Sequence, residues 1–279
     1  MRLRSLRLTV QVIFFLATWM GLFIGMTGLI YPYYFCTASP GACATCPILI
    51  LEHSATLDLH AGILLLYLIA FMGFIGMLFG RAFCGWACPV GFTQEIMYHV
   101  GQYVRPLLRT VDKSAKSLGE YANFGVDPKY FKYGILILIP LTSLVTGKLV
   151  FTSIDPIGAL TASIPALMTG NYTTLDWFWV KILLLIFFFV MVTVVMRAWC
   201  RWLCPIGAML APTNKLSILH LEESEENKCL ECGLCARNCP MHIKLPKNTR
   251  DMECILCGRC VQSCPTNRLQ IKFLGKKIF

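Results

Sequence analysis

The chain has 279 residues, 56% hydrophobic and 14% charged, with a mean hydropathy of +0.63, which excludes a soluble globule of ordinary composition. Its net charge of +10 is unevenly spread: of the 25 Lys and Arg, only Lys148 and Lys181 fall outside the N-terminus, the segment from Arg81 to Lys132 and everything after Met196. That is the positive-inside bias of a membrane protein, and it argues against a nucleic-acid partner.

A helix needs roughly 20 apolar residues to cross a bilayer. The first such stretch, about 9–31, follows the basic opening Met1-Arg-Leu-Arg-Ser-Leu-Arg7 and has no small-residue cleavage site near its end, so it reads as an uncleaved anchor. An exported loop of about 32–59 then carries Cys36, Cys43 and Cys46, with Glu52, His53 and Asp58 before His60. In an oxidising compartment these cysteines read first as a disulfide and second as a metal or cluster site; the odd thiol leaves a bond to a partner subunit open. The second stretch, 60–79, leads to Arg81 and Cys84-x-x-x-Cys88-Pro. Beyond it Ile96, Val100, Val104, Leu107, Leu108 and Val111 recur at helical spacing beside Arg105, Arg109, Lys113 and Lys116. This suits an amphipathic helix on the anionic cytoplasmic leaflet, or a connector packed on the tail. Stretches 132–151 and 177–196 flank a second exported loop, 152–176, with Asp155 and Asp176; neither exported loop has Lys or Arg. Four spans return the chain to one side, so both termini are expected in the cytoplasm.

The segment Arg81-Ala-Phe-Cys-Gly-Trp-Ala-Cys-Pro-Val-Gly91 recurs 116 residues later as Arg197-Ala-Trp-Cys-Arg-Trp-Leu-Cys-Pro-Ile-Gly207. The same offset pairs Phe35 with Phe151, Pro40 with Pro156, Thr45 with Thr161 and Ile48 with Ile164. The transmembrane part therefore reads as two parallel copies of helix, exported loop, helix and Cys-x-x-x-Cys-Pro, related by a pseudo-two-fold axis along the membrane normal.

In the tail, Cys229-x-x-Cys232-x-x-Cys235-x-x-x-Cys239-Pro and Cys254-x-x-Cys257-x-x-Cys260-x-x-x-Cys264-Pro are two complete copies of the bacterial ferredoxin run. Three thiolates in a tight loop hold three corners of a cubane, and the fourth ligates the partner cluster. The expected sets are Cys229, Cys232, Cys235 and Cys264 for the first cluster, and Cys254, Cys257, Cys260 and Cys239 for the second. Paired zinc knuckles are the competing reading.

With four spans, two Cys-x-x-x-Cys-Pro motifs and a C-terminal pair of [4Fe-4S] motifs, the chain resembles the NapH type of membrane ferredoxin along nearly its whole length, a group related to MauN and the membrane part of NosR. The resemblance implies quinol oxidation or electron delivery across the cytoplasmic membrane toward an exported reductase system. It also implies a membrane complex with other respiratory subunits, a multihaem cytochrome or a second ferredoxin subunit among them. The chain departs from the pattern in its loop of Cys36, Cys43 and Cys46. It has neither a flavin-attachment domain nor a Cys-x-x-Cys-His haem motif, so a covalent flavin or c-type haem belongs to partners.

Cysteines four apart share a helix face, and Arg81, Arg197 and Arg201 would favour thiolate. Three readings of Cys84, Cys88, Cys200 and Cys204 stay open: an additional metal or Fe–S centre, which the ligand count favours, redox-active dithiols, or a Trp-rich structural corner. A quinol site needs proton acceptors at an interface; Asp58 and His60 are the candidates, with loop and helix capping as the alternative. His99 reads as solvated, and His220 and His242 flank the tail domain with no haem-like pairing. The expected architecture is mainly α: a four-helix transmembrane domain, 1–221, of repeats 1–116 and 117–221, and an α+β ferredoxin-like domain with two [4Fe-4S] clusters, 222–279, linked by Glu222, Glu223, Glu225 and Glu226. The expected function is electron transfer between quinol and a respiratory reductase system. A copper-ion reductase in oxidase assembly and a non-catalytic relay anchor are its rivals.

Overall fold

The structure, a computed structural model, describes residues 2–24, 46–55, 59–104, 128–156, 178–224 and 227–278. Its helices are α1 (Arg2–Ile24), α2 (Pro47–Ser54), α3 (Leu59–Phe79), α4 (Ala82–Trp86), α5 (Pro89–Val104), α6 (Phe131–Thr146), α7 (Val150–Ile154), α8 (Phe178–Val194), α9 (Pro205–Leu210), α10 (Leu234–Arg237) and α11 (Arg259–Ser263). Three short strands, β1 (Leu219–Glu223), β2 (Leu269–Phe273) and β3 (Lys276–Lys277), lie near the C-terminus. The protein is thus mainly helical, with a small mixed region around the tail cysteines.

Helices α1, α3, α6 and α8 overlie parts of the four apolar stretches, with shifted ends. Helix α6 stops at Thr146 because Gly147 turns left-handed, at φ 62°, and returns its N–H to the Ser143 carbonyl at 2.8 Å. At 16 residues it is about 24 Å long, short of the roughly 30 Å hydrocarbon core. Among the described residues one helical segment, Gly62–Phe79 of α3, is long and apolar enough to cross a membrane by itself.

The chain divides into two compact units. The first comprises Met1–Phe15, Phe71–Phe92 and Gly207–Phe279. Its sheet has the order β1-β2-β3, antiparallel throughout, with Leu221 of β1 in register with Ile271 of β2. Leu221, Ile255, Leu269 and Ile271 form its dry centre, each no more than 3% exposed. Leu274 and Gly275, at φ 50° and 75°, make the two-residue turn between β2 and β3, the geometry that matches the twist of a hairpin. Both ferredoxin-type runs lie between β1 and β2, so the sheet closes the region that carries the eight tail cysteines.

The second unit comprises Leu16–Ala70 and Thr93–Ile206. Here Glu52 of α2 is fully buried. Its carboxylate accepts the N–H groups of Phe151 at 2.7 Å and Thr152 at 3.2 Å, together with the Thr152 hydroxyl. It thus caps the first turn of α7 from another helix, while the Ser143 hydroxyl donates to the Glu52 backbone carbonyl at 2.9 Å. Expected among the polar residues that end the first exported loop, as a proton acceptor or a cap, Glu52 joins three helices.

Candidate iron-sulfur site

The two tail motifs share a backbone as well as a spacing. Left-handed residues recur 25 positions apart: Glu231 and Leu256 at φ 51° and 48°, Gly233 and Gly258 at 68° and 71°, His242 and Asn267 at 53° and 52°. Gly233 and Gly258 precede α10 and α11 directly, so each motif wraps three cysteines around a loop and sends the fourth beyond a single helical turn. Such a turn carries the last thiol away from the other three.

The structure gathers Cys229, Cys232, Cys235 and Cys264 around one cavity of about 490 Å³. It gathers Cys239, Cys254, Cys257 and Cys260 around a second, lined by Leu221, Met241, Ile243, Ile255, Leu256 and Ile271. Each set takes three thiols from one motif and one from the other. The two surroundings differ. Burial, together with the charges of Cys257, Cys254 and Cys239, pushes the Cys260 thiol well above its usual value, and burial pushes Cys254 up to about 12. Burial also acts on Cys264, but the Thr266 hydroxyl and the backbone N–H groups of Arg268, Leu269 and Thr266 outweigh it and hold that thiol below its usual value. Among the described residues no three Cys, His, Asp or Glu side chains converge closely enough to hold a single metal ion; the thiols ring space instead. Four soft sulfur donors around a cavity, with the Glu231 N–H directed at the Cys229 sulfur at 3.4 Å, fit an iron–sulfur group.

The second tail motif rests on the first Cys-x-x-x-Cys-Pro segment, inside the same unit. The Trp86 indole donates to the Leu256 carbonyl at 2.8 Å. A Cβ at Gly85 would fall 2.2 Å from the Ile255 carbonyl oxygen, so only glycine permits this approach; the Gln11 amide donates to the Gly85 carbonyl at 3.0 Å. Fully buried Arg81 forms an ion pair with Glu253, the residue before Cys254. Asn214 completes the joint: its oxygen accepts the Arg81 backbone N–H at 3.0 Å, and its amide donates to the carbonyls of Asp251 at 2.8 Å and Cys254 at 2.9 Å. Cys84 is buried, and Cys88 accepts the Gly91 N–H on its sulfur at 3.3 Å, at the start of α5.

The second copy lies in the other unit and shares one backbone closure with the first, although Arg197 is left-handed at φ 55° where Arg81 is at −91°. Cys204 N–H reaches the Trp199 carbonyl at 2.9 Å, as Cys88 N–H reaches the Phe83 carbonyl at 3.0 Å, a five-residue closure of the kind often found at functional sites. In each copy the following proline opens the next helix, α5 or α9. Buried Cys200 accepts the Gln94 side-chain amide at 3.2 Å. Arg197, fully buried, donates its Nε to Glu95 at 3.0 Å. Arg81 and Arg197, expected to favour thiolate, thus engage carboxylates.

Cys36, Cys43 and Asp58 lie outside the described residues, and of His60 only the backbone, in the first turn of α3, is described. Cys46 is a free thiol among the described residues. Sequence reasoning missed Gln94, Glu95, Asn214 and Glu253 as partners of the cysteine segments. Glu95 and Glu253 carried one signal, a charge beside apolar or cysteine-bearing residues.

A family described as a 4Fe-4S binding domain matches residues 60–107 and 175–220, thereby covering both Cys-x-x-x-Cys-Pro copies, and a second 4Fe-4S binding domain matches residues 250–267. The ferredoxin-type protein NapH of Haemophilus influenzae is 27% identical over 194 residues, 70% of this chain and 59% of its own length. The chain is a homologue of the NapH-type ferredoxins. The methylamine utilization ferredoxin-type protein MauN of Methylorubrum extorquens is 25% identical over 193 residues, 69% of this chain and 59% of its own. An uncharacterized protein of Methanocaldococcus jannaschii is 32% identical over 171 residues, 61% and 62% of the two chains. The chain spans about half to three fifths of the length of the curated relatives it matches. No solved structure matches it. What the chain shares with these relatives is the ferredoxin-type pattern and the 4Fe-4S binding domains.

Proposed function

We propose that the chain is a membrane-bound electron carrier with two [4Fe-4S] clusters, one on Cys229, Cys232, Cys235 and Cys264 and the other on Cys239, Cys254, Cys257 and Cys260. In this reading it works between a quinol pool and the further subunits of a respiratory reductase complex. The observation that carries the reading is the sorting of eight thiols into two four-membered rings with the fourth cysteines exchanged. Bound clusters supply one-electron transfer at potentials tuned by hydrogen bonds, charge and exposure. The chain's own residues supply the rest. Leu221, Ile255 and Ile271 exclude water from one ring, the Glu231 N–H stabilises negative charge on Cys229, and Trp86 and Gly85 hold the Cys254 loop against the Cys84 segment.

Membrane insertion is supported by the apolar segment Gly62–Phe79 and by exposed side chains such as Leu183, Ile186 and Phe187 on α8 and Ile137 and Leu141 on α6, which a soluble surface would not leave open. The cytoplasmic termini and the division into a membrane part, 1–221, and a tail, 222–279, follow from the charge bias and the motifs. The third centre at Cys84, Cys88, Cys200 and Cys204 is proposed from the sequence repeat. The buried indole N–H groups of Trp199 and Trp202, which find no acceptor among the described residues, support an anionic group near Cys200. Asp58 and His60 are proposed as the proton acceptors for quinol.

Full-length protein purified without oxygen should yield about eight iron and eight labile sulfide from the two tail clusters, plus an excess that Cys84→Ser and Cys200→Ser each remove. Zinc in their place would overturn the reading. A quinol analogue should reduce the clusters, more slowly in Asp58→Asn or His60→Ala at unchanged iron content; wild-type rates in both variants would return these residues to capping.

A further inference from the structure

Resting on the electron-transfer reading, we propose that the loop Lys228–Gly233, with Lys244 and Lys247 beside it, is the docking surface for an acidic, soluble one-electron carrier protein. The argument comes from the near-symmetry of the two tail motifs. At the 25-residue offset Leu230 corresponds to Ile255, Glu231 to Leu256 and Lys228 to Glu253. The backbone conformations match, yet Ile255 is 1% exposed and Leu230 is 64% exposed. What covers the second loop is the Cys84 segment of the same unit, with Trp86 and Gly85 on its carbonyls and Arg81 on Glu253. Nothing among the described residues covers the first loop, whose thiols Cys229 and Cys232 are exposed.

The charge at the corresponding position is reversed. Where the covered loop offers Glu253 to a cation, the uncovered loop offers Lys228. Lys228, Lys244 and Lys247 are exposed and form no ion pair among the described residues, and Lys244 and Lys247 also line the Cys229 cavity; Glu231 is the one acidic residue on the loop. An exposed apolar Leu230 sharing a cavity with Lys244 and Lys247 and two residues from Lys228 has the make-up of a small, transient redox interface, in which rim charges set the encounter rate and an apolar centre brings the redox groups together. A partner presenting carboxylates around an apolar edge is the complement. A cluster held by Cys229, Cys232, Cys235 and Cys264 would exchange one electron there with the carrier's iron centre, one being oxidised as the other is reduced, with no bond made or broken.

The test uses full-length protein in lipid nanodiscs without oxygen, with a strongly acidic plant-type [2Fe-2S] ferredoxin as the probe and basic cytochrome c as the contrast. Binding should weaken steeply between about 50 and 300 mM salt as the charges are screened. Lys228→Glu with Lys244→Glu should weaken ferredoxin binding and slow electron exchange at least tenfold, while strengthening cytochrome c binding. Lys276→Glu with Lys277→Glu, on β3, should do neither. Binding of ferredoxin that ignores both salt and the Lys228 and Lys244 changes would overturn the proposal. So would protection of Lys228 from an amine reagent in anionic but not zwitterionic nanodiscs, which would assign these lysines to the lipid surface. Iron content and reduction by dithionite, read on the same samples, report separately on the electron-transfer reading: intact clusters with salt-independent binding would remove the docking surface alone.

Discussion

Glu253 and Gly85 carry the joint between the tail motif and the Cys84 segment, and each does so for a different physical reason. Arg81 is fully buried against Glu253. Removing one member of a buried pair leaves the other charge uncompensated, at a cost of roughly 3–5 kcal/mol. Glu253→Ala should therefore lower the thermal midpoint sharply, and Arg81→Met with Glu253→Leu should recover much of the loss; equal midpoints for wild type and Glu253→Ala would remove the pair from the account. At Gly85 the constraint is steric, because the Ile255 carbonyl occupies the space of a Cβ. Gly85→Ala should lift the Cys254 loop off and raise the chelator sensitivity of that cluster several-fold, leaving the cluster of Cys229 as before. The repeat itself hints at this role, since Arg201 stands at the position matching Gly85, yet the identity of the packed loop was not legible. It depends on which distant segment arrives there, and no local pattern encodes that.

At the scale of elements, what repeats in sequence repeats in backbone at particular positions. The Cys-x-x-x-Cys-Pro segments share the five-residue closure at Cys88 and Cys204, and the ferredoxin runs share their left-handed positions. These were readable because spacing and proline fix local geometry with few alternatives. Helix ends were less so: α6 was expected to 151 and ends at Thr146, since a glycine with left-handed φ closes a helix whatever apolar residues follow. The buried companions Gln94 and Glu95 were invisible for another reason, being ordinary polar residues of an amphipathic helix until Cys200 and Arg197 meet them. Gln94→Leu removes a donor from the Cys200 sulfur and should change the reactivity of that thiol toward an alkylating reagent, with tail-cluster content unchanged. Unaltered Cys200 labelling would make the contact one of packing alone.

For the whole molecule, the charge bias and the motifs said more than the helices do. The basic residues are concentrated in the N-terminus, the segment from Arg81 to Lys132 and the region after Met196, and the positive-inside rule converts that into an orientation. Cysteine labelling or reporter fusions should find Lys113 and the C-terminus on the cytoplasmic side; export of the tail would reverse the orientation. The central claim is that two clusters are held in crossed sets, one ring open to solvent and one packed in an apolar cavity. Electron paramagnetic resonance of the reduced full-length protein, with a water-soluble relaxing agent added, tests it directly. Cys239→Ser should lose the sheltered cluster and keep a signal that the agent broadens or relaxes, and Cys264→Ser should lose the open cluster and keep a signal the agent leaves alone. The opposite assignment, or equal sensitivity in the two variants, would contradict the crossed ligation.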